Sequence, residues 1–511
     1  MKGKRLIQVI GAVAFINLLS RFLGIFREIV IGYQFGTNEA ADSVITAYTL
    51  PNFFYVVVGG AVTTAFISVY TKIEGPLGRR DYLEKVFAWL GLGLVLFSAG
   101  LVVFSDQVIG LLFSGLSADQ FQLTTDLFRI MAPATFFLMI SMWLTGLLNV
   151  NDRFTWSAAA TLLLNGSFLA IAVAFFPWFG AFAHAWGAVI SAVLMCAFLV
   201  YLIRRERFFH FGFRFKRSPE VWRTFKLAVP ILLGGATLQL YFLMHRVFAS
   251  FLEEGSISAL NYMAKIVQLP QSVLMMAVTT VIYPMLSRKV AAGEQEGIST
   301  LHGRGLRWMA LSILPVAVFV VFFAEDIIRV VFQYGSFTDQ STAMTVPLLQ
   351  ILVVGMFFHA ANVYVTRFFY AYERSIYPVV VSLLSVLGIN TGIALLLLDP
   401  LGAAGVAWGT SIASICNFCL LLFGTRSVLK LHQVSQDSLK TTIAKPAALL
   451  VLMAGGLYGV KQLSGGMNPY ISLFFGGAAA AVLLFVFMKL LRFREIDDLL
   501  DYAKKKVVKT K

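Results

Sequence analysis

Charged side chains inside long apolar runs are the residues of this sequence that could do chemistry. The first run carries Ser20-Arg21-Phe-Leu-Gly24-Ile-Phe-Arg27-Glu28, and Asp42 opens the second. Further along, apolar stretches hold His245 and Arg246, then Lys265, then His359 and Arg367, with Arg129 early in another. An ionisable group at the centre of a spanning helix costs about 2.5–3.5 kcal/mol on insertion scales, so each is a functional candidate by default. The set is cationic on balance. Guanidinium forks match phosphate oxygens and an ammonium acts as a point charge, so Ser20, Arg21, Arg27, Glu28, Asp42, Arg246, Lys265 and Arg367 are expected to hold an anion such as a diphosphate. Arg21 and Arg27 are six positions apart and diverge by roughly 120° on a helix, which still allows both to line one broad wall. Two alternatives stay open: local pairing, of Arg27 with Glu28 and of Arg21 with Asp42, or snorkelling of long side chains to the surface.

Other chemistry is absent. There is no G-x-x-x-x-G-K-[ST] loop for nucleotide hydrolysis, no H-E-x-x-H and no Ser-His-Asp arrangement. Cys416 and Cys419 form a C-x-x-C without a second pair, so packing is expected rather than a metal site. The expectation is a protein that is not an enzyme and has no cofactor. Transport remains, driven by a coupling ion (Na+ or H+) or by the membrane potential.

The elements that must position these residues follow from composition. Of 511 residues, 59% are hydrophobic and only 13% charged, whereas soluble domains are about a quarter charged. Runs of about 20 apolar residues span a bilayer as helices, and these runs are unbroken rather than alternating. The pattern predicts an all-α polytopic membrane protein with about fourteen transmembrane helices. Six fall at roughly 7–33, 41–70, 84–105, 123–149, 154–177 and 182–203. Six more fall at roughly 222–251, 257–287, 304–324, 343–371, 376–398 and 403–425, and the last two at roughly 440–460 and 468–490. Pro51, Pro230, Pro270 and Pro284, with Gly59-Gly60 and Gly234-Gly235, are expected to bend helices.

The net charge of +15 has a topological reading. With Lys2, Lys4 and Arg5 cytoplasmic, the even-numbered loops collect Arg79, Arg80, Arg204, Arg205, Arg207, Arg214, Lys216 and Arg217, and the odd-numbered loops almost none. That sorting excludes nucleic acid as a partner and leaves membrane lipids. It puts both termini in the cytoplasm.

The chain also repeats itself. Gly180-Ala-Phe-Ala-His-Ala-Trp186-Gly187 returns as Gly402-Ala-Ala-Gly-Val-Ala-Trp408-Gly409, and Ala61-Val-Thr-Thr64 as Ala277-Val-Thr-Thr280. Asp152-Arg153 is matched by Glu373-Arg374. An offset near 220 residues is six helices, so two six-helix lobes are expected, related by a pseudo-two-fold axis along the membrane normal. The expected divisions are about 1–204 and 218–427 for the lobes, 438–491 for two extra C-terminal helices and 492–511 for a basic tail.

Ser20-Arg21-x-x-Gly24-x-x-Arg27-Glu28, Phe35-Gly36, Ala41-Asp42, Leu50-Pro51-Asn52, and the run Phe332-Gln-Tyr-Gly335-Ser-Phe337-Thr resemble the MurJ (MviN) family of lipid II flippases, in the multidrug/oligosaccharidyl-lipid/polysaccharide exporter superfamily. The resemblance implies a two-lobed, V-shaped transporter in the bacterial cytoplasmic membrane. It implies alternating-access transfer of the undecaprenyl-diphosphate-linked peptidoglycan precursor, lipid II, to the outer leaflet. Cell-wall synthesis proteins are candidate partners, and the last two helices would form a groove for the lipid tail. By the same resemblance Arg21, Arg27 and Asp42 match functional positions, and Lys265 stands where a substrate-contacting Arg is usual. The sequence departs after Leu50-Pro51-Asn52, where Phe53-Phe54-Tyr55-Val56 replaces a charged stretch, and at Thr366-Arg367-Phe368, which replaces Ala-Pro-Gly. These departures favour, as the alternative, a flippase for another undecaprenyl-linked glycan such as a teichoic, capsular or O-antigen unit. A multidrug exporter is the weaker rival, since it calls for carboxylates in place of cations.

Overall fold

A computed structural model of the chain describes residues 3–209, 211–278, 282–431, 444–493 and 495–496. Lys2, Thr280, Lys440 and the lysines of the basic tail lie outside the described residues. All regular structure among the described residues is helical. It comprises α1 (Gly3–Phe35), α2 (Glu39–Phe53), α3 (Gly60–Tyr70), α4 (Pro76–Val103), α5 (Ser105–Leu112), α6 (Ala118–Val150), α7 (Phe154–Phe179), α8 (Ala181–Arg205), α9 (Pro219–Gly235) and α10 (Thr237–Ala249). Then come α11 (Ser256–Ala277), α12 (Tyr283–Ala291), α13 (Gln295–Val331), α14 (Asp339–Val354), α15 (Met356–Ala371), α16 (Ile376–Leu383), α17 (Thr391–Leu401), α18 (Ala403–Ser427), α19 (Lys445–Leu463) and α20 (Pro469–Leu490).

Eleven helices, counting α2–α3, α14–α15 and α16–α17 as single spans, are long and apolar enough to cross a membrane. The other three expected spans fall on α1, on α9–α10 and on α11–α12. They are helical too, the last two interrupted at Ala236 and beyond Ala277. Pro51 sits inside α2, where its missing N–H and its ring disturb the ladder; a π-helical stretch, Phe54–Gly59, follows and joins α2 to α3. Gly234-Gly235 closes α9. Pro284 does not bend a helix: it stands in the first turn of α12, where a missing N–H costs nothing.

The internal repeat is written in the backbone. Gly180 and Gly402 have φ/ψ of 52°/−127° and 54°/−131°, each opening the helix that carries the repeated Trp-Gly. Asp152 and Glu373 both take positive φ, 59° and 57°. Ser117 caps α6 through Gln120 N as Thr338 caps α14 through Ser341 N. The α4–α5 break at Phe104 (φ −101°, ψ 26°) has its counterpart in a break inside α13 at Phe323 (φ −109°, ψ 18°). The sequence match therefore reflects conformations that the two copies share.

The chain divides into two compact units, Met1–Tyr262 and Met263–Lys511. In the first, α6 is the hub: Trp143 is fully buried against Phe66 of α3 (centroids 5.4 Å, edge-on) and Phe87 of α4 (5.9 Å), and Phe66 stacks on Tyr82 at 5.9 Å. In the second, α19 and α20 pack on α13 around Phe323, Leu457 and Met453. There the Asp326 carboxylate takes hydrogen bonds from the Lys461 ammonium and from Ser472 Oγ (2.9 Å), and the ammonium also lies 5.3 Å over the Phe323 ring.

The repeated glycines mark close helix approaches. A Cβ on Gly187 would lie 3.3 Å from the Phe168 carbonyl, and one on Gly409 would lie 3.0 Å from the Asn390 carbonyl. Because the obstacle is backbone, it cannot rotate away. Gly409→Val is expected to lower stability by about 1–3 kcal/mol, as overpacking does. Gly303→Ala in α13, where a Cβ meets nothing within 4 Å, is expected to be neutral or stabilising by up to about 1 kcal/mol. Thermal midpoints of the purified protein in detergent distinguish the two.

Candidate functional site

The heptad spacing of α1 decides which way its polar residues face. Ser20 and Arg27 are seven apart, about two turns, and so are Arg21 and Glu28. Ser20 and Arg27 both meet α7. Ser20 is buried and accepts a hydrogen bond from Asn165 Nδ2 at 2.8 Å. The Arg27 guanidinium lies 4.9 Å over the Tyr48 ring of α2 and 5.1 Å over the Phe168 ring of α7. Two aromatic faces thus fix its orientation.

Glu28 is the acid of the cluster, and both its oxygens are occupied. Oε1 accepts from Arg27 Nη2 at 2.7 Å, and Oε2 accepts from Asn261 Nδ2 of α11 at 2.7 Å. Asn261 Oδ1 in turn accepts from Arg246 Nη2 of α10 at 2.8 Å. The neighbours set the orientation of the Asn261 amide: its oxygen must face the arginine and its nitrogen the carboxylate. The side chains of Arg27 and Glu28 are only 16% and 3% exposed. Two guanidiniums therefore share one carboxylate, one directly and one through an amide, and the group carries a net positive charge among apolar helices.

Asp42 is placed differently. Its Oδ1 accepts from Ser258 N at 2.7 Å and its Oδ2 from Gly255 N at 2.9 Å, so it caps the N-terminus of α11. Those orphan amides and the positive end of the helix dipole hold a buried carboxylate well. Tyr262 Oη donates to the Gly36 carbonyl at 3.0 Å, and Glu39 N donates to Glu254 Oε1 at 2.9 Å. Gly255 has φ 86°, and a Cβ there would collide with the Thr37 carbonyl. The α1–α2 corner and the α10–α11 corner are thus tied at four points.

The local pairings left open by the sequence divide. Arg27 does pair with Glu28; Asp42 is engaged by α11 and not by Arg21. Arg21 is exposed and, among the described residues, has no hydrogen-bond or ion-pair partner. Arg129 is held outside this cluster by Asp106 (2.5 Å), Asp126 (3.4 Å) and Ser105 Oγ (2.8 Å). Lys265 and Arg367 belong to the second unit. Lys265 is half-buried, one turn beyond Asn261 on α11. The Arg367 guanidinium of α15 lies 5.8 Å from the Tyr283 ring and 6.0 Å from the Tyr370 ring, with its Nε buried and unpartnered. Asn261 is the member that sequence reasoning missed. The signal was present, an amide in an apolar helix four residues before Lys265, but a search confined to ionisable groups passes over it.

The family model described as lipid II flippase MurJ matches residues 31–494. A probable lipid II flippase MurJ of Rhizobium meliloti is 30% identical over 471 residues, 89% of this chain and 86% of that protein. A lipid II flippase MurJ of Burkholderia cenocepacia is 27% identical over 464 residues, 88% of this chain and 89% of that one. Among solved structures, a lipid II flippase MurJ in an inward closed conformation superposes with a TM-score of 0.80 at 21% identity, covering 94% of this chain and 99% of that one. An inward-facing multidrug-resistance transporter of the MATE family in the MOP superfamily gives 0.72 at 16% identity, over 81% of this chain and 96% of the other.

Removing one partner of a buried ion pair leaves the other charge uncompensated. Glu28→Gln is expected to destabilise the protein by about 3–5 kcal/mol. Asn261→Ala, which strands two partners of a neutral amide, is expected to cost about 1–3 kcal/mol. Denaturation in detergent, read by tryptophan fluorescence, gives both values; an equal, negligible loss in the two variants would contradict the network.

Proposed function

The chain belongs to the lipid II flippase MurJ family, and on that premise we propose that it carries lipid II from the inner to the outer leaflet of the bacterial cytoplasmic membrane. It is a multi-pass membrane protein of a transporter family. The observation that carries the reading for its own residues is the cationic excess of the Arg27–Glu28–Asn261–Arg246 group. A diphosphate is an acceptor that Arg27 and Arg246 can both reach for with charge-assisted bonds. Glu28 keeps the empty site from holding two uncompensated charges; the incoming diphosphate replaces it as the shared partner. Arg21, exposed and unpaired, makes the first contact. Lys265 and Arg367 serve the same substrate as further cations, the second held over two tyrosine rings. Ser20 and Asp42 support the frame, one fixing α1 on α7 and the other fixing α2 on α11.

The polyprenyl tail stays in lipid while the head passes through the protein by alternating access. Both chain termini are cytoplasmic in this reading. Cations on the cytoplasmic loops favour approach of the anionic head, and a Na+ or H+ gradient or the membrane potential, worth about 2.3 kcal/mol per charge per 100 mV, resets the cycle. Cell-wall synthesis enzymes are the expected protein partners.

A charged hydrogen bond is worth about 1.5–3 kcal/mol, so Arg27→Ala is expected to slow transport by roughly 10- to 150-fold, and Arg27→Lys by less. The assay is complementation of a bacterium depleted of its own lipid II flippase, read as lipid II exposed outside. Full transport by Arg21→Ala, Arg27→Ala and Lys265→Ala variants alike would overturn the site. No rescue by the well-expressed parent chain would favour a flippase for another undecaprenyl-linked glycan. The uncharged Phe53–Val56 stretch, with Phe54 packed edge-on against Phe97 at 4.8 Å, supports that second reading.

A further inference from the structure

Between α8 and α9 the chain runs without helix through Phe211-Gly-Phe213-Arg-Phe215-Lys-Arg217, and it is pinned rather than loose. The Phe213 ring lies 5.1 Å from Phe87 of α4, and the Phe215 ring meets Trp89 edge-on at 5.7 Å. Arg214 reaches Glu84 Oε2 at 2.7 Å and Asp81 Oδ1 at 3.1 Å, and a Cβ on Gly212 would come within 2.9 Å of the Glu84 carboxyl carbon. The segment is a strap across one face of α4.

Where on α4 it lies is the informative part. The helix has 28 residues, more than the ~20 that cross hydrocarbon. Its charges, Arg79, Arg80, Asp81, Glu84 and Lys85, end at Lys85, and from Leu92 onward its large exposed side chains are apolar. Phe87 and Trp89 therefore mark the passage from water to lipid, and the strap is fastened at that level. Phe213 and Phe215 are nevertheless 65% and 57% exposed, and Trp222, in the first turn of α9, is 72% exposed. Aromatic rings left open at this depth sit among headgroups. Around them Arg205, Arg207, Lys216 and Arg217 are exposed and have no acidic partner among the described residues.

We infer that the 211–217 strap is an interfacial binding site for anionic phospholipid headgroups of the cytoplasmic leaflet, with Phe213, Phe215 and Trp222 inserted between headgroups and Arg205, Arg207, Lys216 and Arg217 contacting their phosphates. The occupant follows from charge: four unpaired cations beside inserted rings select an anionic surface over a zwitterionic one. The site is independent of the transported substrate.

The test uses the full-length protein in nanodiscs, with quenching of Trp222 obtained as the difference between the parent and its Trp222→Phe variant. Brominated phosphatidylglycerol should quench Trp222 with an about fivefold preference over brominated phosphatidylcholine, the share that a single basic residue contributes at an anionic surface. The preference should vanish in R205Q/R207Q/K216Q/R217Q and, for the parent itself, at 1 M salt, where the screening length is about 3 Å. F213S/F215S should reduce quenching by both lipids. Equal quenching by the two lipids, no quenching by either, or a preference that survives 1 M salt would overturn the proposal; the salt comparison involves no variant that could misfold.

Discussion

Glu28 is the residue on which the chemistry of this protein depends. In a bilayer no water is at hand to satisfy a buried charge, so each one must find its partner in protein. A single carboxylate here serves two guanidiniums, and the amide of Asn261 carries its influence from Arg27 of α1 to Arg246 of α10. A second carboxylate would neutralise the group and leave no attraction for an anion. With none, two guanidiniums would face each other without compensation. One is the count at which the helices can pack and the site can still bind.

The scaffold around that group is a repeated design. The same left-handed backbone at Asp152 and Glu373, the same turn at Gly180 and Gly402, and the same break at Phe104 and Phe323 occur about 220 residues apart. Yet the copies have diverged where chemistry is concerned. The first contributes Arg27 and Glu28, whereas the second copy of the break has acquired α19 and α20, which enclose Phe323 and hold Asp326 through Lys461 and Ser472. Breaks at matching places, differently braced, allow two similar halves to respond unequally to one ligand.

Much of this was legible in the sequence because hydropathy and charge are local properties. Runs of apolar residues located the helices, and ionisable residues inside them located Arg27 and Glu28. What stayed hidden was partnership. Nothing in the neighbourhood of Asp42 announces that its carboxylate caps a helix beginning more than 200 residues later, and nothing near Pro284 distinguishes a helix-bending proline from a helix-starting one. Asn261 was hidden for a different reason: a neutral amide draws notice only when the charges on either side of it are known. The strap at 211–217 reads as one more basic loop until Phe213 and Phe215 are seen against Phe87 and Trp89.

The cap on α11 also bears on how the protein is made. Asp42 emerges early, but the amides that receive it, those of Gly255 and Ser258, follow 213 and 216 residues later. At synthesis rates of about 5–20 residues per second that is a wait of roughly ten to forty seconds. Throughout it the carboxylate has no native partner, and the α1–α2 corner cannot close. Asp42 must spend that interval at the membrane surface, in water or under the care of the insertion machinery. The last step in assembling the first unit is therefore the docking of its oldest corner.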